Sequence, residues 1–147
     1  KTNECAVVEL TDGRLLMNMR SYHGENRRAI AFSSDGGMTW SDVSLDQALI
    51  EPVCQASLIR VRFPDVEKPG QILFSNPASK KREKMVVRLS EDDGRTWTAS
   101  RLVTPGSAAY SSLAGIGDGK VGLLYERDGY RTIEYVAFKL DSFQPEL

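Results

Sequence analysis

Short apolar runs separated by turn-forming residues cover almost the whole chain. Residues 5–10 (CAVVEL) make a mostly apolar run, Thr11-Asp12-Gly13-Arg14 a turn, and 15–20 a second run. A polar loop over 21–26 leads to a third run at 28–33, and a fourth strand is expected after Asp42. The cycle restarts at 55–61 and continues through 71–75 and 85–90; a third copy supplies 110–115, 121–126 and 132–138. Runs of this length, bounded by Gly, Asp, Asn and Ser, are strand signals. No stretch sustains a helical period, although 45–50 has room for one helical turn. The fold class is all-β.

The pattern repeats at fixed spacing. Gly13 to Ser33 and Gly70 to Ser90 are each 20 residues, and Gly13 to Trp40 and Gly70 to Trp97 are each 27. Gly119 follows Asp118 as Gly13 follows Asp12. Units of about 50 residues, each with several short strands, point to propeller blades. The third copy has three strands and so leaves an unpaired edge, which a complete propeller would cover. The expectation is therefore the C-terminal half of a larger propeller, with two four-stranded blades and a three-stranded one. All of residues 1–147 belong to this partial domain, with no second domain, and an N-terminal remainder of the same propeller closes the ring.

Two segments in the same phase of the repeat read S-x-D-x-G-x-T-W, at 33–40 and 90–97. Asp35 and Asp92 are placed to accept hydrogen bonds from the backbone two residues on. Gly37 and Gly94 permit positive φ. Thr39 and Thr96 suit re-entry into a strand, and Trp40 and Trp97 bring apolar area to wedge against a neighbouring sheet. The motif resembles the Asp box of sialidases and several other β-propellers, and its role is read as stapling the hairpin between third and fourth strands.

Composition narrows the function classes. A formal net charge of −1 and a pI near 5.9 give no support for a nucleic-acid or membrane-surface partner. No apolar run approaches the roughly 20 residues of a membrane span. Cys5 and Cys54 make neither a disulfide framework nor a zinc site, and their apolar or small neighbours predict buried thiols. The single histidine, His23, lies in a polar loop and argues against a transition-metal site. Gly115-Ile116-Gly117-Asp118-Gly119-Lys120 joins two strands rather than opening a helix, so it is a β-turn and not a phosphate loop.

Aligning the turn glycines gathers the chemistry. Glu4 lies nine residues before Gly13, and Tyr110 nine before Gly119. Arg20 lies seven after Gly13, and Glu126 seven after Gly119. Equivalent positions of a propeller face the same mouth, so two acids, an arginine and a tyrosine converge there. Tyr110 and Glu126 share one rim because the start of one hairpin strand lies beside the end of the next. Glu9, five residues beyond Glu4, alternates to the opposite face and is set aside. Arg82 sits in Lys80-Lys81-Arg82-Glu83-Lys84, which on its own reads as a solvated basic loop.

NECAVVEL with Arg20, SNPASKKR, and AAYSSL followed by GLLYE resemble the exo-α-sialidases (neuraminidases), six-bladed propellers that release terminal sialic acid from glycoconjugates. The resemblance implies Tyr110 as nucleophile, Glu4 as its general base, and Arg20 and Arg82 as two of three arginines gripping the substrate carboxylate. It implies that Glu126 orients the third arginine, which lies outside this chain together with an aspartate acid/base. Gln55, just before a strand, is a candidate contact to a sugar hydroxyl. The implied substrate is a sialylated glycan, the reaction hydrolysis with retention through a tyrosyl intermediate, with no metal or organic cofactor. The family's bacterial members are usually extracellular or periplasmic; nothing in these residues bears on location.

The chemistry is consistent in itself. Sialic acid carries a carboxylate on its anomeric carbon, and a carboxylate nucleophile at about 4 Å would meet repulsion of roughly 4 kcal/mol at an effective dielectric of 20. A neutral phenol avoids this, and sialidases are the established tyrosine exception among glycosidases. With a pKa near 10 the phenol needs a base such as Glu4. A planar guanidinium fork matches a carboxylate with two charge-assisted bonds. The rival reading is a non-catalytic propeller acting as a glycan-binding or protein-interaction module.

Overall fold

Every apolar run is a strand, and each pairs antiparallel with its neighbour in the chain. The computed structural model describes residues 1–145. β1 (Thr2–Glu9), β2 (Leu15–Ser21), β3 (Arg27–Ser33) and β4 (Ser44–Ile50) form the first sheet in chain order. β5 (Ser57–Arg62), β6 (Gln71–Pro77), β7 (Glu83–Ser90) and β8 (Ala99–Ser107) form the second, and β9 (Ser111–Gly117), β10 (Lys120–Arg127) and β11 (Thr132–Lys139) the third. A 3₁₀ turn at Leu140–Ser142 then returns the chain to the second sheet, where β12 (Gln144–Pro145) pairs with the outer edge of β8. That fifth strand has no precedent in the repeat.

The sheets stack face to face, with β1 against β5 and β5 against β9. Each first strand of a sheet thus lies beside the next sheet's first strand, the arrangement of propeller blades around an axis. The middle sheet is covered on both faces, which is why β6 is buried along its full length. Its Ile72 and Phe74 face the first sheet and pack with Val8, Leu16 and Trp97. Its Leu73 faces the third and packs with Leu113, Leu123 and Tyr125. The outward faces of the end sheets stay open: Ile133 is 70% and Tyr135 56% exposed. Alternation along β1 puts Cys5 on such a face, so it is exposed while Cys54 is buried; the expectation of two buried thiols fails for Cys5. No helix among the described residues is long and apolar enough to cross a membrane.

The segment considered for a helical turn is strand β4. It pairs with β3 through Asp46 opposite Arg28, then slips so that Ile50 meets Arg27. The extra residues bulge: the Ala48 amide donates to Asp46 Oδ1 at 2.9 Å, and Leu49 is fully buried. The sheet edge and a core position for Leu49 override the local helical pattern.

The two S-x-D-x-G-x-T-W turns are built alike. The Thr39 amide donates to Asp35 Oδ1 at 2.9 Å and its hydroxyl to Oδ2 at 2.6 Å. Thr96 and Asp92 repeat these bonds at 2.8 and 2.6 Å. Each carboxylate thus reaches four residues on, rather than the expected two, and so spans the whole loop. Gly37 and Gly94 have φ of 91° and 80°. A Cβ on Gly94 would also come within 2.9 Å of the Leu16 Cδ2 methyl on the first sheet, so a side chain there would have to displace that buried leucine. Trp97 wedges against the first sheet as expected, donating to Asp46 Oδ2 at 3.1 Å and packing on Phe74. Trp40 is half-buried and folds back onto the Gly37 carbonyl.

Bonds from the Thr39 side chain, the Thr39 amide and the Ser33 hydroxyl lower the Asp35 pKa from 3.8 to about 2. A depressed folded-state pKa stabilises above the unfolded value, and that contribution is lost as pH falls through about 2. An NMR titration of the Asp35 carboxyl should therefore show a midpoint near 2; one near 3.8 would mean the staple is open in solution.

Candidate active site

The rim opposite these turns gathers the ends of several strands. Glu4 sits where the β1–β2 register shifts between Asn3 and Cys5. Such a bulge re-aims a strand-end side chain. Tyr110 lies one residue before β9 and is fixed by its backbone. Ala109 N donates to the Glu126 carbonyl and Glu126 N to the Tyr110 carbonyl, each at 3.0 Å. Tyr110 N donates to Glu126 Oε2 at 3.1 Å. Arg20 closes β2, one residue before its end. Arg82 precedes β7, and its carbonyl accepts from Ala108 N at 3.0 Å.

These placements bring three of the sequence-derived residues into direct contact. The Tyr110 hydroxyl donates a short hydrogen bond to Glu4 Oε1. Arg20 Nη1 donates to Glu4 Oε2 at 3.0 Å and to the Tyr110 oxygen at 3.2 Å. Burial alone would raise the Glu4 carboxyl, but bonds from Tyr110 and Arg20 and the Arg20 and Arg82 charges outweigh it and hold it below its usual value. The same bond to Glu4, with burial behind it, pushes the Tyr110 phenol up. At neutral pH the proton therefore rests on the phenol and the carboxylate is the acceptor.

Arg82 joins the group from the side, its guanidinium carbon 5.8 Å from the Tyr110 ring centre. Its Nη1 donates to the Tyr130 hydroxyl at 2.8 Å and its Nη2 to the Val53 carbonyl at 3.5 Å. Gln55 does not reach outward. Its Nε2 donates to the Ser111 carbonyl at 3.0 Å, and its Oε1 accepts from Ser111 N at 2.9 Å, clamping β9 beside Tyr110. Gln55, Tyr110, Glu126, Leu124 and Ile133 line a depression of about 300 Å³ that runs from the rim onto the open face of the third sheet. Glu9 lies on the opposite face of β1, as its alternation requires, and His23 is exposed in its loop.

A family model described as a BNR repeat-like domain matches residues 1–123. The chain belongs to that family. It is 43% identical over 129 residues to a sialidase of Micromonospora viridifaciens, an alignment covering 84% of this chain and 20% of the relative. It is 37% identical over 145 residues to a sialidase of Bacteroides fragilis, covering 94% of this chain and 26% of the relative. Among solved structures it resembles Hadza microbial sialidase Hz136, with 38% identity and a TM-score of 0.85 over 97% of this chain and 28% of the other. This BNR-repeat chain is thus a partial sialidase-type propeller, spanning about a fifth to a quarter of the curated relatives' length.

Beneath the rim of this BNR-repeat sheet stack lies a buried ion pair outside the residues that the repeat singles out. Arg28 is 1% and Glu51 0% exposed, with Arg28 Nη1 on Glu51 Oε2 at 2.6 Å. Arg28 also donates to Asn18 Oδ1 and to the Cys54 carbonyl, each at 2.7 Å, and Glu51 Oε1 accepts from Ser21 N at 2.7 Å. Alternation along β3 carried the signal, because it puts Arg28 on the inward face with Ile30 and Phe32. A buried charge stripped of its partner costs roughly 3–5 kcal/mol. Glu51→Ala should lose about that in urea unfolding, whereas a paired Arg28→Met, Glu51→Leu replacement should lose much less; equal losses would show the two charges are not coupled.

Proposed function

We propose that this chain forms part of the catalytic centre of an exo-α-sialidase that hydrolyses terminal sialic acid from glycoconjugates with retention. The observation that carries the reading is the contact of Tyr110, Glu4 and Arg20, residues up to 106 positions apart in the chain. Tyr110 attacks the anomeric carbon while Glu4 takes the phenolic proton, forming a covalent tyrosyl–sugar aryl glycoside as the glycosidic bond breaks. The aspartate acid that protonates the leaving oxygen, and the third carboxylate-binding arginine, belong to the rest of the ring. In the second half the aspartate, ionised by the first, takes a proton from the attacking water while Glu4 returns its proton to the departing phenol, which restores the starting anomer. Arg20 and Arg82 hold the substrate carboxylate, and Glu126 holds the backbone of Tyr110 while facing the third arginine's position. The open apolar faces of the end sheets support further blades on both sides.

The charge states favour this assignment over a preformed phenolate. A raised phenol and a lowered carboxylate leave the nucleophile neutral as it meets the anionic sugar, and the proton moves only in the transition state. Because Glu4 must be ionised and its pKa is lowered, its limb of the pH profile should lie below 4.5, with activity lost as pH falls through it.

In the complete protein, assayed on a fluorogenic sialoside, Tyr110→Phe should abolish turnover with folding unchanged, and Glu4→Gln should cost roughly 10²–10⁴-fold in kcat. Full activity in Tyr110→Phe would remove it as nucleophile. A parent protein that binds sialosides without cleaving them would favour a glycan-binding propeller instead.

A further inference from the structure

The β10–β11 turn has an unusual backbone. Asp128, Gly129 and Tyr130 have φ of 54°, 63° and 71°, three consecutive left-handed residues. Aspartate and glycine visit that region readily, whereas a bulky tyrosine there is an outlier. Burial does not account for it, since the side chain is 59% exposed. The turn itself is closed by other groups: Arg131 Nε donates to the Asp128 carbonyl at 3.0 Å, and Gly129 N donates to Ser107 Oγ at 3.2 Å. What the strained tyrosine does is reach Arg82. Its hydroxyl accepts from Arg82 Nη1 at 2.8 Å, and the guanidinium carbon stands 5.8 Å from its ring centre, the same distance as from Tyr110.

Arg82 has little else to hold it. It follows two exposed lysines in the β6–β7 loop, and its bond to the Val53 carbonyl is long, at 3.5 Å. Arg20, by contrast, is braced by Glu4 and the Tyr110 oxygen. A long arginine side chain without a fixed partner spends most of its time in other rotamers, and each must be abandoned when an anion binds. We propose that Tyr130 is a positioning residue: it holds the Arg82 guanidinium between the rings of Tyr110 and Tyr130, with its fork set for the substrate carboxylate. The inference rests on the sialidase reading of Arg82. An unfavourable backbone conformation is retained because a residue with a hydroxyl at the end of a rigid ring is needed at that point of the turn.

The test uses the complete protein and a fluorogenic sialoside, with Tyr130→Phe, Tyr130→Gly, Arg82→Ala and the Arg82→Ala, Tyr130→Phe double variant. Tyr130→Phe should raise KM about tenfold and leave kcat within about twofold, the value of one hydrogen bond to a charged group. Tyr130→Gly should raise KM at least as much while its melting temperature holds or rises, because glycine accepts the left-handed conformation without strain. On the Arg82→Ala background, Tyr130→Phe should add nothing. An active parent whose Tyr130→Phe variant keeps the parental KM, or whose two losses add in full, overturns this proposal alone. A parent inactive on sialosides overturns it together with the functional reading.

Discussion

The ion pair of Arg28 and Glu51 is the buried charge that ties the first sheet to the segment leading into the second. Removing two such groups from water costs several kcal/mol per ion, and mutual attraction offsets that only if the remaining donors and acceptors are also used. Here Asn18, Ser21 and the Cys54 carbonyl take them up. These partners come from β2 and from the segment that links the first sheet to the second. The pair therefore fixes where that link begins, and the link carries two groups that matter at the rim. Val53, itself in a left-handed conformation, offers its carbonyl to Arg82. Gln55 clamps both backbone groups of Ser111, the residue after Tyr110. A contact hidden from solvent thus sets the spacing of groups that face it.

The rim works by cancelling charge locally. Glu4 is a carboxylate at a mouth proposed to receive an anionic sugar, and it is tolerated because Arg20 lies on one of its oxygens and a phenol on the other. The same contacts keep the proton on Tyr110. Phenol, carboxylate and guanidinium form one interdependent set, each bonded to the other two.

Much of this was legible because a repeat carries geometry with it. Strands showed through alternation and turn residues, and equal offsets from Gly13 and Gly119 put Glu4, Arg20, Tyr110 and Glu126 at one rim before any coordinates. What escaped did so for physical reasons. Residues 51–55 are neither strand nor repeat, so no period announces that Glu51 is sealed inside. Gln55 reads as a polar residue at a strand start, and only the neighbouring sheet shows that its amide is already committed to Ser111. A tyrosine at φ 71° follows no propensity, because its conformation answers to a contact 48 residues away. The two-residue β12 is too short for any pattern, and Cys5 was misjudged because alternation says which face a residue takes but not whether that face has a neighbour.

The central claim is that the Tyr110 oxygen bonds to the sugar. The complete protein should be incubated with a sialic acid bearing fluorine at the anomeric carbon and a second fluorine on the adjacent carbon, which slows release of a covalent intermediate, and then digested for mass spectrometry. The account predicts a single sialosyl adduct on Tyr110. An adduct on Glu4, or turnover of the probe by active enzyme with Tyr110 unmodified throughout, would contradict it.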